Sequence, residues 1–290
     1  MKPIYTILIS AFLASCSKDE QLSTSAPDPV PAPSPAPVPE QNKPIVETQP
    51  PVLTAVTKKI HSNIGGYYEA LPVHYKTSKL NYPLLIFVHG LGQRGNGSSD
   101  LNLLTKEGIT KRLADKTFPA SIQINKAYHS FIVLAPQFNE FETPAALDAF
   151  VNHASRTYRI DKSRIYLVGM SMGGRMIVDY AWKYPGKAAA IVPMAGVCKS
   201  DEDMIAKAKS IATGRYATWV LHNRGDELMP FDDADKLVAE INKNKPSIAA
   251  ILTELSDAGE AKHDSWTRGC DPAFRKSGKN IYEWMLQYKR

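Results

Sequence analysis

Gly169-Met170-Ser171-Met172-Gly173 is the stretch of this chain with the clearest chemical potential. A serine hydroxyl is a weak nucleophile until a base takes its proton, and it must first be presented to a substrate. The preceding residues, 164–168, are apolar and β-branched and predict a buried strand. The following residues, 175–182, have helical spacing. A Gly-x-Ser-x-Gly between a strand and a helix makes a nucleophile elbow. The turn is so tight that side chains at 169 and 173 would collide with the strand or the helix, so glycine stands there. The helix N-terminus behind Ser171 favours developing negative charge. The same five residues could also form a plain strand-to-helix turn with an N-capping serine, so the choice rests on partners elsewhere in the chain.

The serine needs a base, and the base needs a carboxylate to orient it. On an elbow of this kind the acid and then the histidine follow the serine, each on a loop after a strand. Residues 217–222 predict such a strand, and Asp226 follows in His222-Asn223-Arg224-Gly225-Asp226. Asp232 and Asp233 are nearby rivals, but they open the next helix, where capping explains them. His263 is the only histidine after Asp226, in the loop beyond a strand predicted at 248–255.

Attack on a carbonyl also needs two donors for the oxyanion. The Met172 N–H comes with the elbow. The Leu91 N–H is the second candidate, in the glycine-rich loop that begins His89-Gly90-Leu91-Gly92. His89, Gln137 and Trp266 are candidate substrate contacts. Gln137 could equally bond a loop carbonyl, and Trp266 could equally be a core residue. No HExxH and no Cys/His cluster at zinc spacing occurs, so neither a metal nor another cofactor is expected.

The elements that must position these residues alternate. Strands are predicted at 67–75, 82–88, 130–136, 164–168, 188–195, 217–222 and 248–255. Pro72 marks the first as an edge strand. Helices are predicted at 108–116, 143–158, 175–182, 202–209, 232–244 and 279–288. This order implies an α/β fold with a mostly parallel central sheet and helices on both faces.

Together, His89-Gly90-Leu91-Gly92, the elbow, the stretch from His222 to Pro230, and His263-Asp264-Ser265-Trp266 resemble the α/β-hydrolase superfamily. More narrowly, residues 64–289 resemble the esterases grouped with polyhydroxybutyrate depolymerases, feruloyl and acetylxylan esterases, and the so-called predicted peptidases. The resemblance implies that Ser171, Asp226 and His263 form a triad in a serine carboxylesterase. Asn223 stands where that family more usually has glycine. No long insertion separates the strand at 189–195 from Asp226, so no large cap domain is expected. The site is then open and shallow, able to take bulky or polymeric esters. A serine peptidase on the same fold and a non-catalytic binding lipoprotein are the competing readings. A proline-rich linker, not an extra domain, precedes residue 64, against the first, and the intact triad speaks against the second.

The chain ahead of the domain reads differently. Residues 1–15 resemble a lipoprotein signal peptide, with Lys2, an apolar core and Leu13-Ala14-Ser15-Cys16 as a lipobox. Cys16 is then the lipidation site, with the outer membrane as the expected anchor and the cell surface as a possible face. Residues 16–52 are a proline-rich linker, and the catalytic domain is expected over 53–290. The net charge of +6 is spread without a run of five Lys/Arg, so nucleic acid is not an expected partner. Cys198 and Cys270 remain as a candidate disulfide outside the cytoplasm.

Overall fold

The computed structural model describes residues 45–141, 143–197, 201–256 and 262–290. The leader, Cys16, the linker up to residue 44, and Cys198 lie outside the described residues.

Alternation along the strands builds two cores on opposite faces of one sheet. In β3 (Tyr82–Val88), Leu84, Ile86 and Val88 face one core, while Leu85 and Phe87 face the other. In β7 (Ile160–Met170), Ile165 and Leu167 face the first, and Tyr166, Val168 and Met170 the second. β3 and the second half of β7, residues 165–170, read as continuous apolar runs because neither face of the sheet meets water there.

The first core is covered by α2 (Pro144–Thr157), α3 (Met172–Lys183), α4 (Asp201–Thr213) and α5 (Phe231–Lys243). The second is covered by α1 (Gly108–Ala114), α6 (Trp266–Gly269) and α7 (Ile281–Met285). As its sequence predicts, α2 opens on Thr143, whose hydroxyl accepts the Ala146 N–H at 3.2 Å, with Pro144 in the first turn.

The remaining large-sheet strands are β1 (Val52–His61), β2 (Ile64–Leu71), β6 (Ile132–Phe138), β8 (Ala190–Met194), β9 (Ala217–Asn223) and β10 (Ile251–Leu255). Their spatial order is β1-β2-β6-β3-β7-β8-β9-β10. β6, β3, β7, β8, β9 and β10 run parallel, while β2 is antiparallel to both β1 and β6. A small hairpin, β4 (Ile122–Ile124) and β5 (Ala127–His129), precedes β6. Between β8 and β9 the described chain carries only α4, with no cap domain.

The structure corrects the placement of the edge. β2 is an inner strand and stops at Leu71, just before Pro72, and β1 forms the edge beyond it. Pro72 therefore ends the strand, since a missing N–H cannot join a ladder paired on both sides. Packing also begins ahead of Leu53. Glu47 is buried, and its carboxylate accepts the His74 backbone N–H at 3.0 Å and meets His74 Nδ1 at 2.8 Å.

Parallel strands place their carboxyl ends along one edge of the sheet. The loops after β3, β7, β9 and β10 carry His89, Ser171, Asp226 and His263 respectively.

Candidate active site

Ser171 joins β7 to α3 at φ 51° and ψ −120°, a left-handed backbone that a side chain rarely adopts. Close packing holds it there. Its N–H donates to the Met194 carbonyl at 2.8 Å, and its carbonyl accepts the Arg175 N–H at 3.0 Å. The glycine requirement is steric. A Cβ at Gly169 would lie 2.3 Å from the Gly173 carbonyl oxygen, and one at Gly173 would lie 2.2 Å from that of Val88.

Three residues expected from sequence meet at the elbow. His263 Nε2 lies 2.8 Å from Ser171 Oγ, and His263 Nδ1 lies 2.7 Å from Asp226 Oδ2. A carboxylate only accepts, so Nδ1 carries the proton. Nε2 is left with a lone pair aimed at the serine hydroxyl, the tautomer a general base needs.

Asp226 is itself tightly held. Its Oδ1 accepts the N–H groups of Leu228 at 2.9 Å and Met229 at 3.0 Å. Oδ2 faces His263 and also His222 Nε2, at 3.2 Å. His222 Nε2 lies 2.7 Å from the Met229 carbonyl, an acceptor, so this nitrogen is protonated and can share its hydrogen with Asp226. Burial pushes the His222 imidazole below its usual range, which keeps the ring neutral. Asp233, the sequence rival, starts α5 with its N–H on the Pro230 carbonyl and takes no part in the relay.

The base loop is tied down as well. Ser265, fully buried, accepts the Asn223 N–H through Oγ at 3.1 Å, joining the histidine loop to the end of β9. Trp266 meets the His263 ring edge-on, with centroids 5.2 Å apart and an 86° angle. Trp266 is buried in the second core and does not line the cleft, so it acts as a brace for the base and not as a wall for substrate.

The expectation for His89 changes, and for Gln137 the loop-carbonyl alternative holds. His89 is buried and bonded at both nitrogens: Nε2 accepts the Phe138 N–H at 3.0 Å, and Nδ1 donates to the Gly90 carbonyl at 2.7 Å. It faces the protein interior, and burial lowers its pKa to about 4. Gln137 is also fully buried. It accepts the Gly97 N–H at 2.9 Å and donates to the carbonyls of Gln93 at 2.9 Å and Asp100 at 2.8 Å. Neither touches the cleft; both fix the glycine-rich loop after β3.

That loop also carries the Leu91 N–H, the candidate second oxyanion donor. Leu91 begins a short 3-10 helix, and Met172 begins α3, so both N–H groups lie where a helix offers no internal acceptor. Both residues line the cleft beside Ser171. The Leu91 N–H belongs to the same peptide plane as the Gly90 carbonyl that His89 holds. By fixing the carbonyl, His89 fixes the direction of the N–H on the opposite side of that plane.

The cleft has a volume of about 370 Å³ and runs from Ser171 along α3. Met172, Arg175, Met176 and Asp179 line it at helical spacing, facing Met229 and the exposed rim residues Leu91 and Phe141. Sequence reasoning named Leu91 and Met172 as backbone donors but missed Arg175, Met176, Asp179, Met229 and Phe141, although the 172/175/176/179 spacing after the elbow was a usable signal. The i,i+4 spacing of His222 to Asp226 did not reveal its role in the sequence. Cys270 is buried, its Sγ 3.9 Å from Met194 Sδ, and its candidate partner Cys198 falls outside the described residues.

Comparison with known proteins agrees with this architecture. A family model described as the dienelactone hydrolase family matches residues 137–252. No curated protein sequence matches the chain. Among solved structures, a thermostable esterase superposes with a TM-score of 0.59 at 22% identity, over 82% of this chain and 63% of that one. A fluorophosphonate-binding serine hydrolase of Staphylococcus aureus gives 0.55 at 12% identity, over 82% of this chain and 99% of that one. A ferulic acid esterase gives 0.51 at 16% identity, over 77% of this chain and 95% of that one. With a mostly parallel sheet, helices on both faces and an elbow at the carboxyl end of a central strand, the chain has the α/β-hydrolase fold.

Proposed function

We propose that this protein is a serine hydrolase that cleaves carboxylic esters through an acyl-enzyme on Ser171. The observation that carries this reading is the assembled relay: Ser171 Oγ 2.8 Å from His263 Nε2, and His263 Nδ1 2.7 Å from a fully held Asp226. Ser171 Oγ attacks the ester carbonyl carbon while its proton passes to His263 Nε2. The carbonyl oxygen takes the negative charge and is stabilised by the N–H groups of Met172 and Leu91. The bond to the alkoxy oxygen breaks, and the alcohol leaves with the proton from His263. Water then attacks the acyl carbon, giving its proton to His263. Ser171 takes that proton back as the acid departs. Asp226 stabilises the imidazolium formed in each half-reaction.

The open rim at Leu91 and Phe141, and the lack of a cap between β8 and β9 in the described chain, support large substrates. Carbohydrate-linked acetyl or feruloyl esters and polyesters are the classes that fit, for an enzyme held to the cell envelope by acylated Cys16. The test is a panel of p-nitrophenyl acetate and butyrate, methyl ferulate, acetylated xylan and a peptide amide, with Ser171→Ala as control. Ester turnover that disappears in the variant is expected. Amide cleavage without ester cleavage would turn the reading toward a peptidase, and no turnover at all would overturn it.

A further inference from the structure

The cleft is asymmetric in a way that distinguishes the two halves of an ester. His263, which must protonate the leaving alcohol, is not among its lining residues. The alcohol therefore departs on the histidine side, and the cleft along α3 receives the acyl half.

Its lining combines apolar and charged side chains. Met172, Met176 and Met229 supply apolar, adaptable surface. Arg175 and Asp179 stand among them on the α3 side. Arg175 is four residues beyond Ser171 and Asp179 eight, which places them about 6 and 12 Å along the helix axis. Arg175 Nε is drawn onward to Asp179 Oδ2, at 3.8 Å. The other carboxylate oxygen, Asp179 Oδ1, is taken by Lys207 of α4 at 2.7 Å. Two cations thus share one carboxylate. Lys207 is mostly buried in its pair, whereas the Arg175 side chain is 55% exposed and, among the described residues, its ion pair is the long one to Asp179. At the rim, Arg94 lies over the Phe141 ring, 5.3 Å from its centroid, and adds positive charge to the approach.

Resting on the esterase reading above but departing from its acetyl, feruloyl and polyester acyl classes, we propose that the acyl group is an unbranched arm with a terminal carboxylate, so that the substrate is a half-ester of a dicarboxylic acid. The methylenes lie on the three methionines, and the carboxylate meets the guanidinium of Arg175, whose paired donors suit two carboxylate oxygens. An arm of five or six carbons, with its hydrogen bond, reaches roughly 8–10 Å, inside the span set by Arg175 and Asp179. A methyl-ended arm of the same length fills the same space but leaves the guanidinium unmatched, and an acetyl group leaves most of the cleft empty.

The test compares p-nitrophenyl monoadipate with p-nitrophenyl hexanoate, matched in length and differing at the arm's end, with spontaneous hydrolysis subtracted. The wild-type chain is expected to favour the adipate at least tenfold in kcat/KM, with the preference shrinking as salt is raised. Arg175→Gln is expected to bring the adipate-to-hexanoate ratio to near or below one, mainly through a higher KM for the adipate. Free adipate is expected to bind Ser171→Ala more tightly than free hexanoate in calorimetry. Equal kcat/KM for the two esters, or a ratio that Arg175→Gln leaves unchanged, would overturn the proposal. Fluorophosphonate labelling separates the two levels. A chain labelled at Ser171 that shows no adipate preference keeps the esterase reading and loses this one, and a chain that is not labelled loses both.

Discussion

Acidification should loosen this fold through one ring, His89. In the native state the ring is buried, and its Nε2 accepts the Phe138 N–H. Protonation would turn that acceptor into a donor facing a donor, while burial already disfavours the charge. The folded-state pKa of about 4 lies below the unfolded value of 6.5. Above pH 6.5 neither state holds the extra proton, and the full stability is present. As pH falls toward 4 the unfolded chain takes up a proton that the folded chain refuses, so stability is lost across that window. The loss attributable to this ring is about 3 kcal/mol at the lower end. The assay is urea unfolding of the wild-type chain and a non-titrating His89→Gln variant between pH 7.5 and pH 4. The variant starts less stable, because it loses two buried hydrogen bonds, at about 1 kcal/mol each. The gap between the two chains should then shrink as pH falls. His222, His129 and His153 are also held below the usual imidazole range, but they are common to both chains and cancel in the difference. A gap that stays constant from pH 7.5 to pH 4 would refute the reasoning.

Other positions carry their own expectations. Gly173→Ala would place a Cβ against the backbone carbonyls of Val88 and His89; a melting temperature lowered by several degrees and loss of fluorophosphonate labelling are expected. His222→Leu removes a donor from Asp226 Oδ2, so the carboxylate is held less firmly against His263. kcat/KM should fall severalfold, mainly through kcat, and His222→Gln should restore part of the loss. Glu47→Ala breaks a buried clasp on His74, so a loss of about 1–3 kcal/mol in urea unfolding is expected, with ester turnover at 25 °C retained.

The sheet and the triad were legible for different reasons. Buried parallel strands such as 82–88 announce themselves because both faces are apolar. Ser171, Asp226 and His263 follow from chain order, since each needs a loop at one edge of that sheet. β1 was missed because its burial alternates weakly: Leu53-Thr54-Ala55 and the lysines that follow, at the start of the expected domain, show no clear strand period until β2 pairs with them. His89, Gln137 and Trp266 were placed near the site correctly, but their side chains point into the protein. Residue type and position do not tell which way a side chain at a strand end turns. That is decided by orphaned backbone groups such as the Phe138 N–H and the Gly97 N–H, which become visible only after folding. The cleft residues were hidden for a related reason: Arg175 and Asp179 look like an ordinary i,i+4 surface pair until the elbow sets that face of α3 beside the nucleophile.

Intact-mass spectrometry under single-turnover conditions tests the central claim most directly. The wild-type chain, mixed with p-nitrophenyl butyrate and quenched in acid within milliseconds to seconds, should show one added acyl mass that peptide mapping places on Ser171. p-Nitrophenol should be released in a burst matching the enzyme concentration. His263→Ala should suppress the burst by at least a hundredfold. An acyl mass on another residue, or steady turnover that survives Ser171→Ala, would contradict the account.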